Sequence, residues 1–302
     1  MAWAARAIGA IAAIATAACT LLNPLDGLSD GVDPGTLDDG GGTPAEAASD
    51  AGVMIAPDAG SDGTSTVDGG DAATGSRYAA AVLADSPVLY YRFGDKSGSG
   101  ARDEVSGTST PYPVTGLTFG TPGALAGDPD TAVTTDGTGA LQLTQDVDFE
   151  GLLPHSIEAW VSPSPAGNAL GFLVDHENWT STREGWLFRV GTGDFTYERY
   201  SNVPDASPGV GAVGATLTAV TGVWHYLVAT FDGTTMRLYV DGVRQDSRDT
   251  SVPVPKIGMP FAVGKQNCAC GGTGFAGVMD ELAIYPKALA EDRIAAHLAA
   301  AR

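Results

Sequence analysis

Positive charge, cysteine and histidine are all scarce in this chain of 302 residues. It carries 16 Lys and Arg against 36 Asp and Glu, for a formal net charge of −20. A surface this acidic repels phosphate backbones and anionic headgroups, which excludes nucleic acid and direct contact with a membrane surface. Neutral glycans, basic proteins and cations remain as partners. There is no phosphate-binding loop, dinucleotide fingerprint, Gly-x-Ser-x-Gly or His-Glu-x-x-His, so nucleotide chemistry, that class of hydrolase and zinc proteolysis have no motif to rest on. The four histidines, His155, His176, His225 and His297, stand in unrelated contexts. His225 lies inside an apolar run, as a packed strand residue does. Glycine (41) and proline (18) are plentiful and aromatics make up 8%. That balance suits many short strands joined by turns rather than a helical bundle.

The apolar stretch over residues 7–18, preceded by Arg6, is too short for a permanent membrane span. It reads as a secretory signal over residues 1–18. Thr16-Ala17-Ala18-Cys19 resembles a bacterial lipobox with Thr in place of the usual Leu, making Cys19 a candidate lipidation site. Cleavage after Ala15-Thr16-Ala17 is the alternative. Residues 19–76 form an acidic linker rich in Gly, Ala, Ser and Thr. From residue 20 onward it has eleven Asp or Glu and no Lys or Arg. It has no apolar periodicity, so it cannot bury enough surface to offset its ordering entropy. The expectation is a disordered tether on a protein exported to the outer membrane or cell surface, touching the membrane through its lipid anchor alone. Cys268 and Cys270 are then left as a pair, readable as a strained local disulfide or as part of a soft-metal site.

From Arg77 to Arg302 the composition changes to strand-length apolar runs separated by Gly, Pro, Asp and Ser. Ser156-Ile157-Glu158-Ala159-Trp160-Val161 alternates, placing Ile157, Ala159 and Val161 on one face and Glu158 and Trp160 on the other. Residues 224–231 and 236–240 flank Asp232-Gly233-Thr234-Thr235 as a hairpin. The Ala-rich stretch 290–301, with Glu291, Asp292 and Arg293 early, predicts a short terminal helix.

Several phrases occur in a telling order: Ser86-Pro87-Val88-Leu89-Tyr90-Tyr91-Arg92-Phe93, Pro122-Gly123-Ala124-Leu125, Ser156 to Val161, Trp224-His225-Tyr226-Leu227-Val228-Ala229, Leu238-Tyr239-Val240-Asp241-Gly242, and Met279-Asp280-Glu281-Leu282-Ala283-Ile284-Tyr285. Together they resemble the laminin-G-like jelly-roll family, also described as concanavalin A-like lectin/glucanase domains. The resemblance spans residues 78–301. It implies an all-β fold, a two-sheet antiparallel jelly-roll sandwich over residues 77–302 with a short C-terminal helix. It leaves function open, because this fold hosts lectins, adhesion modules, glycosidases and inert accessory domains.

Resemblance to this family implies calcium held by Asp95, Asp103 and Asp280, with Glu281 a weaker candidate. Hard cations take six to eight oxygens. The alternative is that Asp95 and Asp103 cap turns and Asp280 pairs with an arginine or an amide. Asp95 departs from the pattern, which often has Glu there. A glycan face needs aromatics flanked by amides and carboxylates; His176, Asn178 and Trp179, with Tyr197 and Tyr200, supply that mixture. Asp146, Asp148 and Glu150 superficially resemble the carboxylate strand of laminarinase-like glycosidases, but read better as a solvated loop. The sequence therefore points to a non-catalytic surface module that binds glycan or extracellular protein. A structural envelope protein without a ligand and a glycosidase of the same fold are the alternatives.

Overall fold

The computed structural model describes residues 76–302, apart from 97–99, 113–114, 144–146, 148, 165–169, 180–181, 192–193, 205–210, 216–220, 259 and 267–273. The signal sequence, the linker up to residue 75, Cys19, the Cys268 and Cys270 pair, Asp146 and Asp148 lie outside the described residues. In chain order the elements are α1 (Arg77–Ala84), β1 (Leu89–Tyr91), β2 (Ala101–Arg102), β3 (Ser109–Thr110), β4 (Leu117–Pro122), β5 (Thr131–Asp136), β6 (Leu141–Leu143), β7 (His155–Pro163) and β8 (Leu170–Trp179). They continue with β9 (Thr182–Gly191), β10 (Phe195–Pro204), β11 (Gly211–Ala215), β12 (His225–Phe231), β13 (Thr235–Val240), β14 (Val243–Asp249), β15 (Phe261–Val263), β16 (Ala276–Tyr285) and α2 (Glu291–Ala300). No helix among them is long and apolar enough to cross a membrane.

Two antiparallel sheets make the sandwich. One runs β14-β13-β12-β7-β16-β5-β4, with β1 also paired to β16; the other runs β11-β10-β9-β8-β15-β6. Between them lie the inward residues of both sheets, among them Ile157, Ala159 and Val161 of β7 and Trp186, Phe188 and Val190 of β9. The inward row of β7 is the one its alternation predicts. The hairpin is also where the sequence puts it, with Phe231 opposite Met236. Its turn is closed by Asp232, whose Oδ1 accepts from the Thr234 and Thr235 amides at 2.9 and 2.8 Å. Gly233 there has φ +99°, a left-handed conformation that a side chain would strain.

The outer face of the larger sheet is not solvated. Helices α1 and α2 cover it, and Tyr78, Val82, Trp160, Tyr226, Tyr285, Leu289 and Ile294 form a second apolar layer. Sequence reading missed α1, although its signals are present. Ser76 caps it by accepting from the Ala79 amide, and Tyr78 and Val82 sit four residues apart on its buried side. Helix α2 lies where the composition predicts, with Glu291 and Asp292 in its first turn, the favourable sign for the helix dipole.

Glu158 is fully buried in this second layer. It accepts from the hydroxyls of Tyr226 and Tyr285, each at 2.6 Å, and from Tyr78 at 3.5 Å. The His297 Nδ1 lies 3.0 Å from Glu158, and its Nε2 lies 3.0 Å from Asp85 and 3.1 Å from the Ala81 carbonyl. Both imidazole nitrogens thus face acceptors, so both carry protons and the ring is the cation. Lys287 and Arg293 pair with Asp85. The network ties α1, α2, β7, β12 and β16 together and sets the cations His297, Lys287 and Arg293 against the carboxylates of Glu158 and Asp85.

Strand β16 carries a bulge between Asp280 and Ala283. Glu281, at φ +52°, is the inserted residue. Before the bulge β16 pairs with β5, and after it with β1.

Candidate functional site

The three aspartates of the implied calcium set do not converge on one point. Asp103 is fully buried, and its oxygens accept from the amides of Tyr90, Val105 and Ser106 and from the Ser106 hydroxyl. It holds the turn after β2. Asp95 accepts from the Arg102 amide and the Tyr112 hydroxyl. Asp280 accepts from the Ala124 amide at 2.8 Å through Oδ2, while its buried Oδ1 has no partner. Burial, followed by the neighbouring charge of Asp130, pushes its carboxyl above the usual range. The cation in this neighbourhood is a side chain. Arg92 pairs with Asp128 at 2.8 Å, Asp130 at 3.2 Å and Glu281 at 2.9 Å, and Tyr90 donates to the same Glu281. Among the described residues no group of three His, Cys, Asp or Glu side chains is arranged to hold a metal ion. With Asp103 and Asp95 engaged by turn amides and hydroxyls and Asp280 by the Ala124 amide, this donor set does not fit calcium.

The predicted glycan residues divide by face. His176 points between the sheets, its ring 5.6 Å from Trp186 and 6.1 Å from Phe261. Tyr197 is also internal, with its hydroxyl 2.5 Å from His155 Nε2. Neither can present itself to a sugar, and both are corrections to the sequence reading. A bulge in β8 between Phe172 and Val174 sets which side chains of that strand face in.

Trp179 and Tyr200 do come together, on the outer face of the smaller sheet, where Tyr200 is 5% exposed beneath Arg183. Asn178 is on the other row of β8, the row of His176, and donates to Glu184 at 2.8 Å, a further correction to the sequence reading. Trp179 is opposite Arg183 and Asn178 opposite Glu184 across β8 and β9. The Arg183 guanidinium lies between two rings, 4.2 Å from Trp179 and 3.8 Å from Tyr200. Its Nη2 reaches Glu177 at 2.6 Å and its Nη1 the Tyr200 hydroxyl at 2.8 Å. Tyr200 in turn donates to Glu198, whose other oxygen is held by Arg189 at 2.6 Å. Gln266 donates to the second oxygen of Glu177 at 2.9 Å, and its own Oε1 is buried without a partner. Burial raises the Glu177 carboxyl, opposed by Arg183 and Gln266.

This continuous chain, Glu177–Arg183–Tyr200–Glu198–Arg189, spans three neighbouring strands. Gly185 makes it possible. It lies opposite both Glu177 and Tyr200, has φ +113°, and a Cβ there would come within 2.2 Å of the His176 carbonyl oxygen. Arginine paired with carboxylate, an amide and a half-buried indole make a surface suited to hydroxyl-rich ligands. The sequence reading missed Arg183, Glu198, Arg189 and Gln266. The alternation of Arg183 with Gly185, Leu187 and Arg189 in β9 was the available signal.

A second depression, of about 680 Å³, lies on the larger sheet, lined by Thr118, Thr134, Asp136, Ser162 and Ser164 among others. Among the described residues no aromatic ring lines it.

No curated relative matches the sequence. Among solved structures, the binding domain of Paraclostridial Mosquitocidal Protein 1 is similar at 16% identity and a TM-score of 0.52, over 70% of this chain and 51% of that one. The chain therefore spans about half of that structure's length. Domain 4 of an extracellular arabinanase from Geobacillus stearothermophilus, in complex with arabinotriose, is similar at 19% identity and a TM-score of 0.50, over 72% of this chain and 98% of that domain. Identities this low establish the fold alone. The family profile described as the concanavalin A-like lectin/glucanases superfamily matches residues 135–295, more than half of the sequence. Fold and profile agree, and the chain belongs to the concanavalin A-like lectin/glucanases superfamily.

Proposed function

We propose that this protein is a non-catalytic binding module for neutral glycans, with its site on the outer face of β8, β9 and β10. The observation that carries the reading is that both oxygens of Glu177 and of Glu198 are engaged by protein donors. Glycoside hydrolysis needs one carboxyl free to attack or activate water and another free to protonate the leaving oxygen. Here both carboxylates orient Arg183, Arg189, Tyr200 and Gln266 instead. Such oriented groups recognise hydroxyls, and Trp179 at the edge of the chain offers an apolar ring face. Two carboxylates, Glu177 and Glu198, stand against Arg183 and Arg189 on this face, so it carries no surplus of positive charge, and the whole chain is strongly acidic. Uronates, sialates and sulfated sugars are therefore repelled. The arabinanase domain of like fold, bound to a neutral pentose trimer, is in keeping with this.

The signal-like N-terminus and acidic linker support display of this module outside the cell, tethered at Cys19. The test is a screen of the full chain against neutral and acidic oligosaccharides, repeated with chelator. Binding to neutral sugars, lost in Trp179→Ala and unchanged by chelator, is expected. Failure of the wild-type protein to bind any neutral glycan overturns the reading.

A further inference from the structure

Two donors in the core lack acceptors. Arg199 of β10 is fully buried, and Trp186 of β9 is 1% exposed. They are direct cross-strand partners. Both belong to the inward face: the Arg199 guanidinium lies 3.8 Å from the Phe231 ring, and the Trp186 ring packs 5.6 Å from His155 and 6.0 Å from Phe149. Arg199 Nη2 donates to the Gly151 carbonyl at 2.9 Å. Its Nε and Nη1 have no partner, and neither does Trp186 Nε1.

These groups cannot satisfy one another, because guanidinium and indole only donate. The Tyr197 hydroxyl lies beside the guanidinium and feels its charge, but a neutral hydroxyl cannot compensate a cation. His155 Nδ1 lies 3.0 Å from the Leu153 carbonyl and therefore carries the proton; its Nε2 faces the Tyr197 hydroxyl. Burial, then the Arg199 charge, hold His155 down at about 3, so it stays neutral. No carboxylate among the described residues pairs with Arg199, the permanent cation of this region. An isolated buried charge costs several kcal/mol even after relaxation, and buried polar groups without partners are rare enough to demand an explanation.

We propose that a small inorganic monoanion of chloride size binds between the sheets, held by Arg199 and Trp186. Water would accept the hydrogen bonds but leave the positive charge uncompensated. An anion does both. The near-complete burial of both donors, between sheets spaced about 10 Å apart, favours a halide over a larger oxyanion or organic acid. The site lies on the opposite face of β9 and β10 from Arg183 and Glu198, so it is independent of the glycan reading.

The test is thermal unfolding of the full chain at constant ionic strength, with gluconate replaced stepwise by chloride or bromide. Wild-type protein is expected to gain stability saturably with either halide, as a ligand bound by the folded state alone requires. Trp186→Phe removes one hydrogen bond to the ion and should raise the half-saturating concentration roughly tenfold. Arg199→Met removes the charge together with the need for a counter-ion, and should fold with a midpoint indifferent to halide. A wild-type midpoint that ignores chloride overturns the proposal in favour of internal water. A response that persists in Arg199→Met overturns it as a surface salt effect. Should Arg199→Met fail to fold, an unchanged half-saturation in Trp186→Phe overturns it as well.

Discussion

Truncating Glu158 to alanine should loosen both helices from the larger sheet. The carboxylate is fully buried and bonded to Tyr226 and Tyr285 at 2.6 Å each and to His297 at 3.0 Å, with Tyr78 at a weak 3.5 Å. A hydrogen bond to a charged group contributes about 1.5–3 kcal/mol, so three strong ones summed without relaxation would approach ~7 kcal/mol. The tyrosine hydroxyls can turn and water can enter the space left by the side chain, which brings the expected cost to the ~3–5 kcal/mol typical of breaking a buried pair. For a domain of this size each kcal/mol moves the thermal midpoint by ~2–4 °C. The expected fall is therefore on the order of 10 °C, accompanied by a lower urea midpoint. Glu158→Gln preserves the shape and loses part of this, because one carboxylate oxygen becomes an amide donor facing hydroxyls that already donate. Calorimetry and urea unfolding of the three proteins decide the matter. A Glu158→Ala protein within about 1 kcal/mol of wild type would show that the helices are held by apolar contact alone.

Two further outcomes follow from the ionised groups. Burial pulls the His297 imidazole down, but hydrogen bonds and charges from Glu158 and Asp85 outweigh it and raise the group above its ordinary value. A raised histidine stabilises fully below its unfolded value of about 6.5 and less as pH climbs through the folded one. The stability gap between wild type and His297→Gln should therefore be widest near pH 6 and narrow toward pH 9 in urea titrations; a gap that widens with pH contradicts the imidazolium. Asp280 has its carboxyl raised by burial and by Asp130, so wild-type stability falls as pH rises from the unfolded carboxylate range toward neutrality and beyond. Asp280→Asn should match wild type near pH 5 and melt a few degrees higher at pH 8. Equal midpoints at both values would show that Asp280 is ionised throughout.

How much could be read beforehand differed from element to element. The hairpin of β12 and β13 is local: two apolar runs and an Asp-Gly turn carry it without help from the rest of the chain. The inward row of β7 was equally legible, because Ile157, Ala159 and Val161 have the period of a strand. Glu158 and Trp160, on the other row of β7, carry no mark of burial. They are buried because α1 and α2, about 80 residues before and 140 after them, fold back over that face. His176 and Tyr197 were assigned to a sugar site by composition, yet face inward. Trp179 and Tyr200 share that composition and face outward, whereas Asn178 follows His176 onto the other row of β8.

The amino-acid sequence by itself determined the strand content, the jelly-roll family, the turn chemistry and the acidic character, since these depend on periodicity, short-range geometry and total charge. Outside the regular alternation of β7, which face each side chain serves was decided by the tertiary structure. Side chains alternate along a strand, so a single bulge, as in β8 or at Glu281, reassigns the residues beyond it. Pairing of Arg183 with Glu177 and Tyr200, and of Arg92 with Asp128 and Glu281, likewise depended on which strands and loops the fold brought side by side.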